Sequence, residues 1–316
     1  MAIGIESLPA KLLCLIFWHT LSADFALQVP HPRQSPILLT NVCGHWRNVA
    51  SNESSLWSTL ALDLSKRSNK DMVDTWLGRA RGRPLDLIIH TPYTYDSGVP
   101  NDELARALRA HSNRWRNFEI SGGMDNVQSI MLSIRDLVSS LVSLTITTSF
   151  DEDKEPLDNE YTGILDCLPA MYSLEELRLT IARNHPLDAF CCDLFDRLTW
   201  SVEDGDKQLL PKLRVFRINS PIHYSLVPLY LMLDSRLQEH EAHRTGHMAT
   251  RLEHVHVYAG LEESRKMTDL TRMVWEGIEM CSQEQHKRDG RFVYSVDWKD
   301  EQLRQASQSQ QGMIEQ

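Results

Sequence analysis

The sequence predicts a mixed α/β (α+β) fold, with a three-helix N-terminal module followed by an irregular array of strand-plus-helix units. Three observations predict it. Residues 6–60 carry apolar side chains at helical spacing. Farther on, one short pattern, apolar-x-x-apolar-x-apolar, recurs five times. The chain has 316 residues, 42% hydrophobic and 24% charged, enough for a small module plus a larger core.

In chain order, residues 8–21 read as the first helix. Pro9 suits a first helical turn, where its missing N–H costs nothing. Leu8, Leu12, Leu13, Ile16 and Phe17 make its apolar face. Asp24, Pro30 and Pro32 mark residues 22–34 as a loop. Ser35-Pro36 restarts a helix with Leu38, Leu39, Val42, Cys43 and Trp46 on its apolar side, and Asn52-Glu53-Ser54-Ser55 ends it. Leu56-Trp57 then opens a third short element that finishes near Leu62. Some fifty-five residues bury too small a core to stand alone comfortably. Part of this apolar surface is therefore expected to pack on another surface, in this chain or a partner.

Beyond Leu62 the pattern changes. Asp71–Arg81 reads as a helix through Met72, Val73, Trp76 and Leu77; Gly82-Arg83-Pro84 breaks it, and Leu85–Ile89 reads as a strand. Thr91–Pro100 is a loop, and Leu104, Ala105, Leu108 and His111 form another helical face. The recurring pattern begins at Trp115-Arg116-Asn117-Phe118-Glu119-Ile120 and returns at Leu141–Ile146, Leu174–Leu179, Leu213–Ile218 and Leu252–Val257. Counted at Phe118, Leu144, Leu177, Phe216 and Val255, the periods are 26, 33, 39 and 39 residues. Helical stretches precede the copies at Ile130–Leu137, Ile164–Met171 and Phe190–Trp200. Strand-plus-helix units repeated in this way bury their apolar sides by stacking. An α/β domain whose half-buried strands merely look alike accounts for the same alternation and stays open.

The run Leu8-Pro9-x-x-Leu12-Leu13-x-x-Ile16-Phe17, then Leu38-Leu39-x-x-Val42-Cys43-x-x-Trp46-Arg47-x-x-Ala50, then Leu56-Trp57, resembles the F-box. It is closest to the form found in large fungal F-box families. Two departures stand out: Lys11 takes the place of the usual acidic residue, and Gly44 is expected inside the second helix, at a cost of about 1 kcal/mol relative to alanine. The later copies resemble degenerate leucine-rich repeats. They lack the Asn or Cys that follows the third apolar position in that family, having Gly122-Gly123, Thr148-Ser149, Ala182, Pro221 and Gly260 there. The resemblance divides the chain into an F-box at 6–62, a repeat region for substrate recognition at 63–298 and a Gln/Ser-rich tail at 299–316.

The F-box resemblance implies a substrate-recognition adaptor of a Skp1–cullin–F-box ubiquitin ligase, acting in ubiquitin-dependent protein degradation in the cytoplasm and/or nucleus. It implies that Leu8, Pro9, Leu12, Leu13, Ile16, Phe17, Leu38, Leu39, Val42, Cys43, Trp46, Arg47, Leu56 and Trp57 bind Skp1 and, through it, a cullin. The repeats would hold an unknown target protein. The alternative is a non-catalytic scaffold whose N-terminal helices cap the repeats and bind no ligase, with Trp57-x-x-Leu60 packing on Trp76 and Leu87. The position of Leu12, Ile16, Leu39 and Trp46, facing solvent or facing the repeats, discriminates between the two.

Other functions find little support. A net charge of −10 and a pI near 5.7 weigh against a nucleic-acid surface. No apolar run reaches membrane-spanning length. Leu12–Trp18 followed by Leu21-Ser22-Ala23 mimics a signal peptide, but Glu6 and Pro9 precede it with Lys11 as the single positive charge. That reading would also give the sequon Asn52-Glu53-Ser54 its meaning. Cys14, Cys43, Cys167, Cys191, Cys192 and Cys281 contain no CxxC pair and read as buried free thiols. No phosphate-loop, dinucleotide, nucleophile-elbow or zinc-protease motif is present, so neither an enzyme nor a cofactor is expected. His240, His243 and His247, with His254 and His256 beyond, form a histidine cluster read as a solvated helix and loop rather than a zinc site. The acidic stretches Phe150–Glu160 and Glu203–Lys207 read as solvated loops, with target contact as the alternative.

Overall fold

The computed structural model describes residues 8–21, 29–64, 70–92, 106, 108–149, 162–181, 188–200, 209–219, 226–237, 250, 252–259, 284–288 and 291–297. Most of the loop 91–100, both acidic stretches, His240, His243, His247, Cys281 and the tail 299–316 lie outside the described residues. The fold is mixed α/β with parallel strand pairing. The chain divides into two compact units, residues 1–141 and 142–316.

In the first unit, α1 (Ala10–His19) starts directly after Pro9, whose carbonyl accepts from the N–H groups of Leu12 and Leu13 at 3.0 and 3.1 Å. Thr20 closes it, its hydroxyl donating to the Phe17 carbonyl at 2.6 Å. The second helix expected over residues 36–52 is two helices. One turn, α2 (Ile37–Thr40), is followed by α3 (Gly44–Asn52). Cys43 makes the break: its backbone is extended (φ −155°, ψ 172°), and its thiol accepts from the Trp46 N–H at 3.4 Å, capping α3. Gly44 is therefore the first residue of a helix, not an interior one, and the interior penalty does not apply. Arg47 Nε donates to the Thr40 carbonyl at 2.8 Å and ties the two helices together.

The third element also differs from expectation. Ser54–Trp57 is a single 3-10 turn, and the chain then enters a strand, β1 (Thr59–Asp63). Trp57-x-x-Leu60-x-Leu62 is the repeat pattern itself, two strands before Trp115–Ile120, where the sequence predicts its first copy. Helix α4 (Lys70–Arg79) and strand β2 (Leu85–His90) follow, then β3 (Trp115–Gly123) and α5 (Met124–Ile134). Strands β1, β2 and β3 are parallel, with Leu60 beside Leu87 and Leu87 beside Phe118, and with Leu62, Ile89 and Ile120 forming the next row. All six side chains are buried. Gly122 is left-handed (φ 146°), and a Cβ there would sit 2.5 Å from the Thr91 carbonyl oxygen, so only glycine fits.

The second unit repeats one design. Its parallel strands are β4 (Ser143–Ser149), β5 (Glu176–Ile181), β6 (Val215–Asn219) and β7 (His254–Ala259), each beside its neighbour in sequence. The apolar positions align in rows: Leu144–Leu177–Phe216–Val255 and Ile146–Leu179–Ile218–Val257. The first apolar residue of each copy, Leu174, Leu213 or Leu252 here and Leu141 at the end of the first unit, is fully buried but precedes the strand by two residues. A tight turn leads into three of the copies. Leu141, Leu174 and Leu213 donate their N–H groups to Val138, Met171 and Leu210 at 3.1, 3.0 and 3.1 Å. Those three turn residues are buried as well, which lengthens the repeat by one apolar position upstream.

Between the strands lie α6 (Thr162–Leu165), α7 (Asp188–Leu198) and α8 (Leu226–Leu237). Phe190, Cys191, Leu194, Phe195 and Leu198 of α7 and Leu229 and Met232 of α8 are buried. Arg236 of α8 is buried with them. Its guanidinium donates to the carbonyls of Leu198 (2.6 Å), Leu209 (2.5 Å) and Leu210 (3.0 Å), stitching helix end to repeat turn. An antiparallel pair completes the described sheet: β9 (Arg291–Asp297) lies between β7 and β8 (Glu284–Arg288). Arg288 pairs with Arg291.

Candidate functional site

The N-terminal helices are apolar on more sides than they bury. Leu13 and Phe17 of α1 turn inward, and Phe17 meets Trp46 of α3 with ring centroids 4.9 Å apart. Leu39 of α2 and Val49 and Ala50 of α3 complete this small core. Leu56 and Trp57 are also buried, and they join it to the first strand-helix unit. The Trp57 indole donates to the Ala50 carbonyl at 2.8 Å, its ring stands edge-on to Trp76 at 5.0 Å, and the Arg79 guanidinium lies over it at 4.4 Å. Trp76 in turn donates to the Thr59 carbonyl at 3.0 Å. Polar contacts reinforce the junction, with Arg81 on Asn52 at 2.6 Å and Arg83 on Ser54 at 2.9 Å.

Both α1 and the stretch from α2 to Val42 also expose large apolar side chains. On α1, Leu12 is 48% exposed, Leu15 62%, Ile16 39% and Trp18 59%; after it come Leu38 at 42% and Val42 at 54%. An α-helix apolar all round is normally enclosed, and clustered exposed apolar groups of this size mark interaction surfaces. Of the residues expected to bind a partner, Pro9, Leu12, Ile16, Leu38, Val42 and Arg47 are exposed, and Leu8, Cys43 and Trp46 are half-buried. Leu13, Phe17, Leu39, Leu56 and Trp57 hold the module together from inside. The structure adds Leu15 and Trp18, which the sequence reading left off its helical face; their signal was that α1 has almost no polar side.

The electrostatics of this module keep the Cys14 thiol quiet. Burial, then hydrogen bonding to Glu53 and its charge, pushes the Cys14 thiol up, away from the thiolate form. Glu53 is held below the usual carboxylate range, first by the Ser55 hydroxyl at 2.6 Å. The indole N–H of Trp46 has no partner among the described residues.

Two other clusters carry chemistry-bearing side chains. In the first unit, His90 Nδ1 lies 2.6 Å from the Ser121 hydroxyl, at strand ends where Asp63, His90 and Ser121 stand side by side in register. Ser121 is buried, its carbonyl accepts from the Thr91 N–H, and the following Gly123 N–H donates to Pro92, so the pair fastens adjacent strand ends. In the second unit, the strand face opposite the core carries Ser143, Thr145, Glu176, Arg178, Arg217, His254 and His256. The five described cysteines form no disulfide with one another, and among the described residues no group of His, Cys, Asp and Glu is arranged to hold a metal. No described helix is long and apolar enough to cross a membrane. No protein-family model matches this chain, and no curated protein matches its sequence.

Proposed function

We propose that the chain is a substrate-recognition adaptor of a Skp1–cullin–F-box ubiquitin ligase, docking on Skp1 through its N-terminal helices and holding a target protein on its repeats. The observation that carries this reading is the outward face of α1 and α2. Leu12 and Ile16, two of the four discriminating residues, are exposed; Leu39 is internal and Trp46 half-buried. Exposed Leu, Ile and Trp side chains on one short helix can supply the desolvated anchors of a stable interface. The resemblance to the F-box supplies the identity of the partner.

The repeat region supports the second half. Parallel strands in sequential order, with an apolar ladder and a shared turn before each of three copies, are what a leucine-rich-repeat-like solenoid requires. The chain would contribute proximity and orientation, and the bond-making would be done by other subunits in the cytoplasm or nucleus.

The scaffold alternative also has an observation behind it. Trp57 packs on Trp76, and Leu60 stands beside Leu87, as a cap on the repeats requires. Capping uses the inward residues and leaves Leu12, Leu15, Ile16 and Trp18 without a role, so the two functions are compatible. The test is co-purification with Skp1 of the wild type and of Leu12→Glu/Ile16→Glu. Both positions are exposed, so the variant should retain its circular dichroism and melting temperature while capture falls about a hundredfold or more. Undiminished capture of a folded double variant would sink the adaptor reading.

A further inference from the structure

Parallel sheets are almost always covered on both faces. In β4–β7 one face is buried and the other is open. Leu144, Leu177, Phe216 and Val255 and, in the next inward row, Ile146, Leu179 and Ile218 are buried, while Ser143, Thr145, Thr147, Glu176, Thr180, Val215, His254 and His256 are half-exposed and Arg178, Arg217 and Asn219 exposed. The register sets Thr145, Arg178, Arg217 and His256 in one row across four strands. Adjacent strands lie about 4.8 Å apart, so the row spans roughly 14 Å, the reach of about four residues of extended chain.

The charge of this face runs against that of the protein. The chain carries −10, yet Glu176 is the one acid in these rows against two arginines. Its carboxylate is shared, at 2.6 Å from Arg178 and 4.0 Å from Arg217, and both guanidiniums stay largely open, at 44% and 47% side-chain exposure. The acids just upstream, Glu175 and Glu253, are taken by Arg214, which donates to Glu253 and lies 3.8 Å from Glu175. His256, next in the row, is pushed toward its neutral form by burial and then by the Arg217 charge, a sign of the positive field there. Guanidinium groups side by side match carboxylate or phosphate oxygens in a geometry that a single lysine cannot reproduce.

We infer that the polar face of β4–β7 receives the target, and that it selects an extended acidic segment through Arg178 and Arg217. The inference rests on the reading of the repeats as the target-holding part of an adaptor and names the chemistry of that site. Carboxylate and phosphate are the two sources of the anionic groups.

The test uses the full chain and short fluorescent peptides read by anisotropy: alternating Glu and Ser, the same with Gln for Glu, and the Gln peptide with phosphoserine for Ser. Binding of the Glu or phosphoserine peptide, with no binding of the Gln peptide, is expected. In Arg178→Gln/Arg217→Gln the affinity should fall about tenfold or more, the scale of one lost charge-assisted contact. Arg135→Gln, which removes one positive charge from an exposed residue of the first unit, should leave it unchanged and is compared with each single variant, Arg178→Gln and Arg217→Gln. Tight binding of the phosphoserine peptide alone supports the phosphate source. Equal binding of all three peptides, or equal loss in Arg135→Gln, overturns the inference. Skp1 capture, measured on the same variants, separates the two proposals. Capture without selective peptide binding overturns this inference alone. Selective peptide binding without capture upholds acidic recognition and overturns the ligase assignment.

Discussion

The two units use one inward pattern and opposite outward ones. In the first, Leu60–Leu87–Phe118 and Leu62–Ile89–Ile120 face the core; in the second, Leu144–Leu177–Phe216–Val255 does the same. Turn to the other side and the middle row reads Ala61–Ile88–Glu119 in the first unit, with Ala61 fully buried and Ile88 6% exposed. The equivalent row of the second unit is Thr145–Arg178–Arg217–His256. The strands of the first unit, Thr59–Asp63 and Leu85–His90, read as near-continuous apolar runs because both of their faces are covered, whereas strict alternation in the second marks a sheet with one face open. The ladder that builds the fold is therefore indifferent to what the outward row carries. A surface for recognition can be written there without disturbing the core.

Exchanging the outward rows would break or sharpen that contrast most directly. Ile88→Arg forces a guanidinium into a covered row, where half-buried Glu119 is the neighbour of opposite charge, and should cost about 3 kcal/mol in urea unfolding. The reverse exchange, Arg217→Ile, removes a screened surface ion pair and should change stability by no more than about 0.5 kcal/mol. Similar costs for the two would mean that the outward faces are equally covered, and the comparison would fail.

A smaller effect is expected inside the second unit. Burial pulls Arg236 down to about 10, yet it remains charged at neutral pH and serves three main-chain carbonyls. Arg236→Met keeps the bulk and orphans those carbonyls, which should cost about 3 kcal/mol. Arg236→Lys should recover only part of it, because an ammonium cannot reach three acceptors held by a planar fork. A Met variant as stable as the wild type would show that the carbonyls find other partners.

Much of this was legible in the sequence, and the losses have physical causes. The inward ladder could be read because alternation survives in every copy. The buried turn residues Val138, Met171 and Leu210 escaped because they fall outside the strand period, in a segment that looks helical. Strand β1 escaped because Leu56-Trp57 completes a helical-module pattern, and Trp57 serves both assemblies at once. The break at Cys43 was hidden because cysteine is not among the usual N-capping residues. Arg236 gave no core signal, since a buried guanidinium is recognised only by the carbonyls around it. At the candidate docking surface the sequence supplied the residues but not their direction. Leu12 and Leu13 are neighbours of equal hydropathy, one exposed and the other enclosed. Only the packing of Phe17 on Trp46 decides which side of α1 faces in.

The mildest test of the contrast is its response to acid. His111, just before β3, and His256, on the open row, are both pushed below the ordinary histidine range by burial; Arg114 adds to the first, against an opposing pull from Asp74, and Arg217 adds to the second. A histidine depressed in the folded state leaves stability untouched above its unfolded value near 6.5 and removes stability as the pH falls below it, because the unfolded chain takes the proton more readily. The urea midpoint should therefore drop between about pH 7.5 and 5.5 at fixed ionic strength. His111→Gln and His256→Gln should each flatten part of that slope. Arg217→Ile should flatten only the His256 part, since it removes the neighbouring charge and leaves Arg114 in place. A slope that Arg217→Ile leaves unaltered would mean that burial alone holds His256 neutral, and that the charge of the open row reaches less far than its register implies.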